Sequence, residues 1–178
     1  EIGSGKTTVA RTLLRKMGSE IRSAVITNTF LTPKGIITLI LEDLGVAYKF
    51  STKERLLVQL NEFLLAEAQR DQDVVLIIDE AQNLSPQCLE EVRMLSNLET
   101  EKDKLLQIVL IGQPDLRKKL EMVRLEQFRQ RIAIHYHIDP LSEAETKQYV
   151  IHRLNCAKAN GRDLSRLFES SAFDLIYD

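Results

Sequence analysis

Glu1-Ile2-Gly3-Ser4-Gly5-Lys6-Thr7-Thr8 opens the chain, and Val74-Val75-Leu76-Ile77-Ile78-Asp79-Glu80 stands near its middle. The first stretch fits the end of the pattern G-x-x-x-x-G-K-[ST], with Gly5-Lys6-Thr7 closing it and the first glycine falling before residue 1. Glycines in such a loop let successive backbone N–H groups turn inward around a phosphate, and the following helix adds the positive end of its dipole. Gly3, Ser4, Gly5, Lys6, Thr7 and Thr8 are therefore the candidate phosphate-binding residues. Lys6 would reach the β- and γ-phosphates as a mobile point charge, and the Thr7 hydroxyl would take one coordination position on Mg²⁺. Taken alone, a Gly/Ser turn capping an ordinary amphipathic helix has the same pattern.

The second stretch removes most of that ambiguity. Five consecutive apolar residues, Val74 to Ile78, predict a parallel strand buried on both faces, and the strand ends in two carboxylates. Ligands of open α/β sheets bind beyond the carboxyl ends of the strands, which places Asp79 and Glu80 opposite the phosphate loop. Asp79 suits Mg²⁺, since a small hard cation takes one or two carboxylates and keeps several waters. Glu80 is positioned to orient an attacking water, because phosphoryl transfer depends on positioning and charge stabilisation.

With 178 residues and 44% apolar content, the chain has length for one domain plus a small appendage. A net charge of −2 gives no global attraction to nucleic acid or anionic lipid, so any basic surface must be local. No apolar stretch reaches the length of a membrane span. The missing glycine and the absence of an initiator Met lead us to expect a segment excised from a longer chain. Cys88 and Cys156 lack C-x-x-C spacing and read as reduced packing residues. His135 and His137 alternate within Ile132 to Ile138 and would share a strand face; without accompanying carboxylates or thiols they read as solvent-facing or core-satisfied histidines rather than metal ligands.

Helix and strand periods alternate along the chain, the signature of a parallel sheet wrapped by helices. The expected order is a helix from Thr7 to Met17, a strand at Ala24 to Thr27, and a helix opened by Thr32-Pro33 and stopped at Gly45. Ser51 and Glu54 suggest a capping box before a long helix through Leu56, Leu60, Leu64 and Ala68, its acids solvated. Beyond Glu80, Ser85-Pro86 opens a helix with Leu89, Val92, Met94, Leu95 and Leu98 as apolar positions. Leu105 to Ile111 is the next buried strand, and its end projects Gln113 from the same edge as Asp79. Gln113 there is either a γ-phosphate sensor or a polar residue closing a strand before Pro114. Arg117, Lys118, Lys119, Arg124, Arg129 and Arg131 form a local basic stretch, mostly solvated helix faces, leading into an expected strand from Ala133 to Ile138. Arg129 and Arg131 could reach a neighbour's nucleotide. Ser142 and Glu145 predict a second capping box opening a helix to about Ala159, with another helix at Ser171 to Asp178. The expected domains are an α/β core at 1–140 and a partial helical lid at 141–178.

This order, a phosphate loop, a buried strand ending Asp-Glu, a polar strand end, Arg-x-Arg and a helical tail, resembles the AAA+ P-loop ATPases over essentially the whole chain. Leu76-Ile77-Ile78-Asp79-Glu80-Ala81-Gln82-Asn83-Leu84, Leu95-Ser96-Asn97-Leu98-Glu99-Thr100, Leu110-Ile111-Gly112-Gln113-Pro114 and the segment Phe128 to Pro140 are similar to the ATPase domain of the general secretion pathway protein A (ExeA-like) family. The resemblance implies an α/β, parallel P-loop NTPase sheet flanked by helices and followed by the lid. It implies ATP with Mg²⁺, hydrolysis, and a role in assembling a type II secretion apparatus. It makes Gln113 sensor 1 and Arg131 the arginine finger, with Arg129 second, supplied in trans within a homo-oligomer. It further implies a cytoplasmic domain of an inner-membrane-associated bacterial protein with a secretion-system membrane partner. The family's central P-loop strand and its Gly-x-Pro-Arg sensor 2 are not in this sequence. The alternatives are a transposition or DNA-maintenance helper ATPase binding DNA through the Arg117 to Arg131 stretch, a helicase suggested by Asp79-Glu80-Ala81-Gln82, and a nucleotide switch without turnover.

Overall fold

A computed structural model of the chain describes residues 21–49, 52–101 and 103–156, together with Thr8, Thr12, Lys16, Gly18, Ala172, Phe173 and Ile176. Glu1 to Thr7, and with them most of the expected phosphate loop, lie outside the described residues, as do Ser51 and residues 157–171. Of the expected first helix, Thr8, Thr12 and Lys16 are described; they are helical and exposed, and the Thr12 hydroxyl donates to the Thr8 carbonyl at 2.8 Å.

Three strands, β1 (Ile21–Ile26), β2 (Asp73–Ile78) and β3 (Gln107–Leu110), form a parallel sheet in that order. The register pairs Ile26 with Ile78 and Ile78 with Leu110, so all three strands end level. Because side chains alternate across a strand, Val74, Leu76 and Ile78 enter the main core, while Val75 and Ile77 pack with Ile21, Val109 and Ile111 on the other face. The apolar run of β2 is thus buried on both faces.

Helix α1 (Pro33–Asp43) starts where Thr32 accepts from the Gly35 N–H at 3.1 Å and Pro33 supplies a preset φ. It stops at Gly45, whose φ of 72° allows two closing bonds: Gly45 N–H to the Glu42 carbonyl at 3.0 Å and Val46 N–H to the Leu41 carbonyl at 2.8 Å. Ile36, Ile37, Ile40 and Leu41 make its buried face. Helix α2 (Lys53–Ala68) buries Leu56, Leu60 and Leu64, as its period predicts. Two expectations for it are corrected. Its N-cap is Thr52, which places the helix start one residue beyond a Ser51 cap. One of its acids, Glu67, is only 1% exposed, and Ala68, not Glu67, faces solvent.

Helix α3 (Pro86–Leu95) is capped by Ser85, whose hydroxyl accepts from the Cys88 N–H at 3.2 Å, and it buries Leu89, Val92 and Leu95. Met94 is 49% exposed, because it lies off the stripe those three residues define. Lys53 pairs with the buried Glu91 at 2.7 Å and joins the start of α2 to α3. Helix α4 (Pro114–Leu120) follows β3, and α5 (Glu126–Arg131) anchors itself through buried Phe128 beside buried Leu125.

The expected strand from Ala133 to Ile138 does not form. These residues form no regular element, with Ile134 83% and Tyr136 89% exposed, and no described strand lies in ladder with them. Alternation marks faces, but a strand exists only when its N–H and C=O groups find a partner. Arg129 and Arg131 accordingly sit on a helix, and His135 and His137 share no strand face.

The chain divides into two compact units, 1–136 and 137–178. In the second, α6 (Glu143–Cys156) opens with the expected capping box: the Ser142 N–H donates to Glu145 at 2.8 Å and the Glu145 N–H returns to the Ser142 hydroxyl at 3.4 Å. Lys147 stands over the Phe173 ring at 5.4 Å. Among the described residues no helix is long and apolar enough to cross a membrane.

Candidate active site

The level strand ends place chemistry at one edge of the sheet. Backbone bonds continue the ladder past β2: Asp79 N–H to the Ile26 carbonyl, Ile111 N–H to the Ile78 carbonyl and Ala81 N–H to the Ile111 carbonyl, each at 2.9 Å. Asp79 is held between the β1 and β3 ends, 5% exposed, and its carboxylate accepts from the Glu80 N–H at 2.9 Å. A buried carboxylate at a strand end suits a hard cation shared with phosphates, so Asp79 fits Mg²⁺. Thr7, the other expected ligand, lies outside the described residues, and among the described residues no group of three or more His, Cys, Asp or Glu side chains could hold a metal.

Glu80 takes the left-handed conformation, φ 52° and ψ 37°, which costs a residue with a Cβ about 1–2 kcal/mol. The chain turns there from β2 into a short 3-10 turn, Ala81–Asn83, closed by Asn83 N–H to the Glu80 carbonyl at 3.0 Å. The turn brings Gln82 back over Glu80. Gln82 Nε2 donates to Glu80 Oε2 at 2.6 Å, and Gln113 Nε2 lies 3.4 Å from the same oxygen. Gln113 is the N-cap residue of α4, and its N–H donates to Gln82 Oε1 at 3.1 Å. From α4, Lys119 Nζ donates to the carbonyls of Gln82 and Leu84, the latter at 2.9 Å.

Glu80 and Gln113, expected to share an edge, are therefore brought within hydrogen-bonding reach. Gln82 and Lys119 also belong to this network, although the spacing alone gave neither a place in it. Besides Glu80, two residues back, the partners of Gln82 lie 31 and 37 residues away, pairings no local pattern carries. Gly112 shows why the turn is tight: a Cβ there would stand 2.9 Å from Gln82 Oε1 and 3.0 Å from Leu116.

Arg129 and Arg131 are exposed on α5. The Lys104 ammonium hydrogen-bonded to Glu99 holds that carboxyl below its usual range, and the Arg131 charge adds to the effect. The end of α5 thus lies within electrostatic reach of the Glu99–Lys104 bridge. On the same sheet edge, the loop after β1 buries Thr29 and presents Phe30 84% exposed.

Parallel strands ending level, a buried Asp and a paired Glu beyond the central one, and a polar cap residue beyond its neighbour form the ligand edge of an open α/β sheet. The family model described as AAA domain matches residues 1–120. The chain belongs to that family. It is 42% identical over 158 residues to general secretion pathway protein A of Aeromonas hydrophila, an alignment covering 88% of this chain and 29% of that protein. The chain thus spans less than a third of that relative. Among solved structures, Cdc6p of Pyrobaculum aerophilum superposes with a TM-score of 0.67 at 23% identity, over 89% of this chain and 42% of that one. The ORC2 protein of Aeropyrum pernix, solved with ADPNP and ADP, gives 0.69 at 15% identity over 86% of this chain and 43% of that one. Its ADP form gives 0.69 at 17% identity over 100% and 48%. These likenesses show the AAA+ fold.

Proposed function

We propose that the chain is a Mg²⁺-dependent ATPase module that drives assembly of a type II secretion apparatus; the name of its Aeromonas relative supports the part of this reading that concerns general secretion. The single observation that carries the enzymatic part is Glu80: a carboxylate on a strained backbone beside the buried Asp79, hydrogen-bonded to Gln82 and within reach of Gln113. Backbone strain of this kind persists only where surrounding structure over-determines it, and it clusters at functional sites. In this reading Gly3 to Thr8 cradle the phosphates, Lys6 neutralises the β- and γ-phosphates, and Glu80 orients the attacking water. Gln113 senses the γ-phosphate. Thr7 and Asp79 would hold Mg²⁺, which when bound neutralises charge at the phosphates. Arg131, or secondarily Arg129, reaches the site of a neighbouring copy in a homo-oligomer. Residues 141–178 act as the lid, and the module is a cytoplasmic part of an inner-membrane-associated bacterial protein.

The test is ATP turnover and nucleotide binding by the purified protein over a range of protein concentrations, with and without duplex DNA. The expected result is a rate per subunit that rises with concentration and ignores DNA. Stimulation by DNA that fades as salt rises, because added salt shrinks the gain from counterions released on binding, would point to a DNA-maintenance helper instead. Binding without turnover at every concentration would leave a nucleotide switch.

A further inference from the structure

The amide of Gln82 is engaged at both ends. Its nitrogen donates to Glu80 Oε2 at 2.6 Å, and its oxygen accepts from the backbone N–H of Gln113 at 3.1 Å. With both ends taken, only one orientation is satisfied: turning the amide over would set oxygen against carboxylate oxygen and N–H against N–H. Its backbone is fixed as well, since Lys119 of α4 donates to its carbonyl. Gly112, lacking a side chain, leaves the room that Gln82 Oε1 occupies against the turn between β3 and α4. The Glu80 carboxylate is therefore tied to that turn through one oriented amide with a donor at one end and an acceptor at the other.

We propose that Gln82 is a positioning residue for Glu80, fixing the carboxylate's rotamer and making it follow any movement of the Gln113 turn; this rests on the reading of Glu80 as the group that orients the attacking water. Gln113 reports on phosphate through its side chain, and its backbone N–H passes the turn's position to Gln82. The direct contact of Gln113 Nε2 with Glu80, at 3.4 Å, is the longer of the two paths, and the route through Gln82 is the shorter-bonded one.

Two substitutions separate the ends of the amide. Gln82→Met keeps length and volume and removes both bonds. Gln82→Glu keeps an acceptor for the Gln113 N–H but replaces the donor to Glu80 with a like charge. In the assembled protein, both are expected to lower kcat about 10- to 100-fold, the scale of a hydrogen bond to a charged group, with KM and ATP affinity within about twofold. The readout that a packing role would not move is a double-mutant cycle on single-turnover rates. In a Glu80→Gln background, Gln82→Met should cost nothing further, because residues that act as a unit are not additive. The proposal is overturned if Gln82→Met and Gln82→Glu keep the parental kcat, or if Gln82→Met lowers the residual rate of Glu80→Gln as much as it lowers the parental rate. A loss of ATP affinity in place of kcat overturns it too. Should Gln82→Met fold poorly, Gln82→Leu, which also removes both bonds without adding a charge, supplies the same cycle. If Glu80→Gln itself hydrolyses ATP at the parental rate, the reading of Glu80 fails and the proposal falls with it; if Glu80→Gln is inactive and Gln82→Met is not, only the role of Gln82 fails.

Discussion

Glu67 and Glu80 are acids next to apolar runs, and their surroundings differ. Glu67 is 1% exposed and accepts from Arg22 at 3.3 Å and Arg70 at 2.7 Å, both partners with exposed side chains. A buried carboxylate with two solvated partners is anchored without being available. Glu67→Ala should therefore cost about 1–2 kcal/mol, measured by urea unfolding, and Arg22→Ala or Arg70→Ala less, since either arginine alone still pairs with Glu67. Equal losses from all three would show that the pair does not share the charge. Glu80 instead is half-buried and held by an amide. Glu80→Gln keeps shape and backbone while removing the charge, so ATP binding should persist and turnover should fall by at least about a hundredfold. With Lys6 in the proposed phosphate cradle, Lys6→Ala should abolish binding itself, because a cradle without its cation loses charge compensation in the ground state. An equilibrium titration with a fluorescent ATP analogue distinguishes the two losses.

At the scale of elements, termini decide where helices begin and end, and they were the part of the fold most legible in sequence. Thr32-Pro33, Ser85-Pro86 and Ser142 with Glu145 each open the helix they predict, because a cap is a local event of three or four residues. The strand at β2 was legible for the same reason, its burial written into five adjacent residues. What was not legible depends on distant partners: Arg22 lies 45 residues from Glu67, and the segment 133–138 has a strand's alternation but, among the described residues, no strand in ladder with it. Two element-level predictions follow from caps. Gly45→Ala should cost about 1 kcal/mol by thermal unfolding although nothing lies within 4 Å of its Cβ, the penalty being backbone alone at φ 72°. For α6, the Ser142 hydroxyl and then its N–H hold the Glu145 carboxyl below its usual range. A depressed folded value means the cap's contribution is complete above the unfolded value, about 4.3, and is lost as pH falls through the lower folded one. Hydrogen-exchange protection of the Thr146 N–H, which bonds the Ser142 carbonyl at 2.8 Å, should fall over that acid window. In Glu145→Gln it should be weaker and flat with pH.

For the whole molecule, the proposed division of labour is that each site takes its water-orienting carboxylate from one copy and its arginine from the next. Arg129 and Arg131 are exposed on α5, as donors to another copy must be. Neither Arg131→Ala nor Glu80→Gln should then be active alone, but they should differ when mixed. In a ring assembled from equal amounts of both variants, a site is complete wherever an Arg131→Ala copy binds ATP and its neighbour is a Glu80→Gln copy with Arg131 intact. Random assembly makes that pairing about a quarter of all sites, so activity should return to about a quarter of the parental rate when every site works independently. If assembly needs several complete sites at once, recovery should be smaller but still above either variant alone. An arginine acting within its own copy predicts no recovery at all, since every copy would then lack either its carboxylate or its arginine.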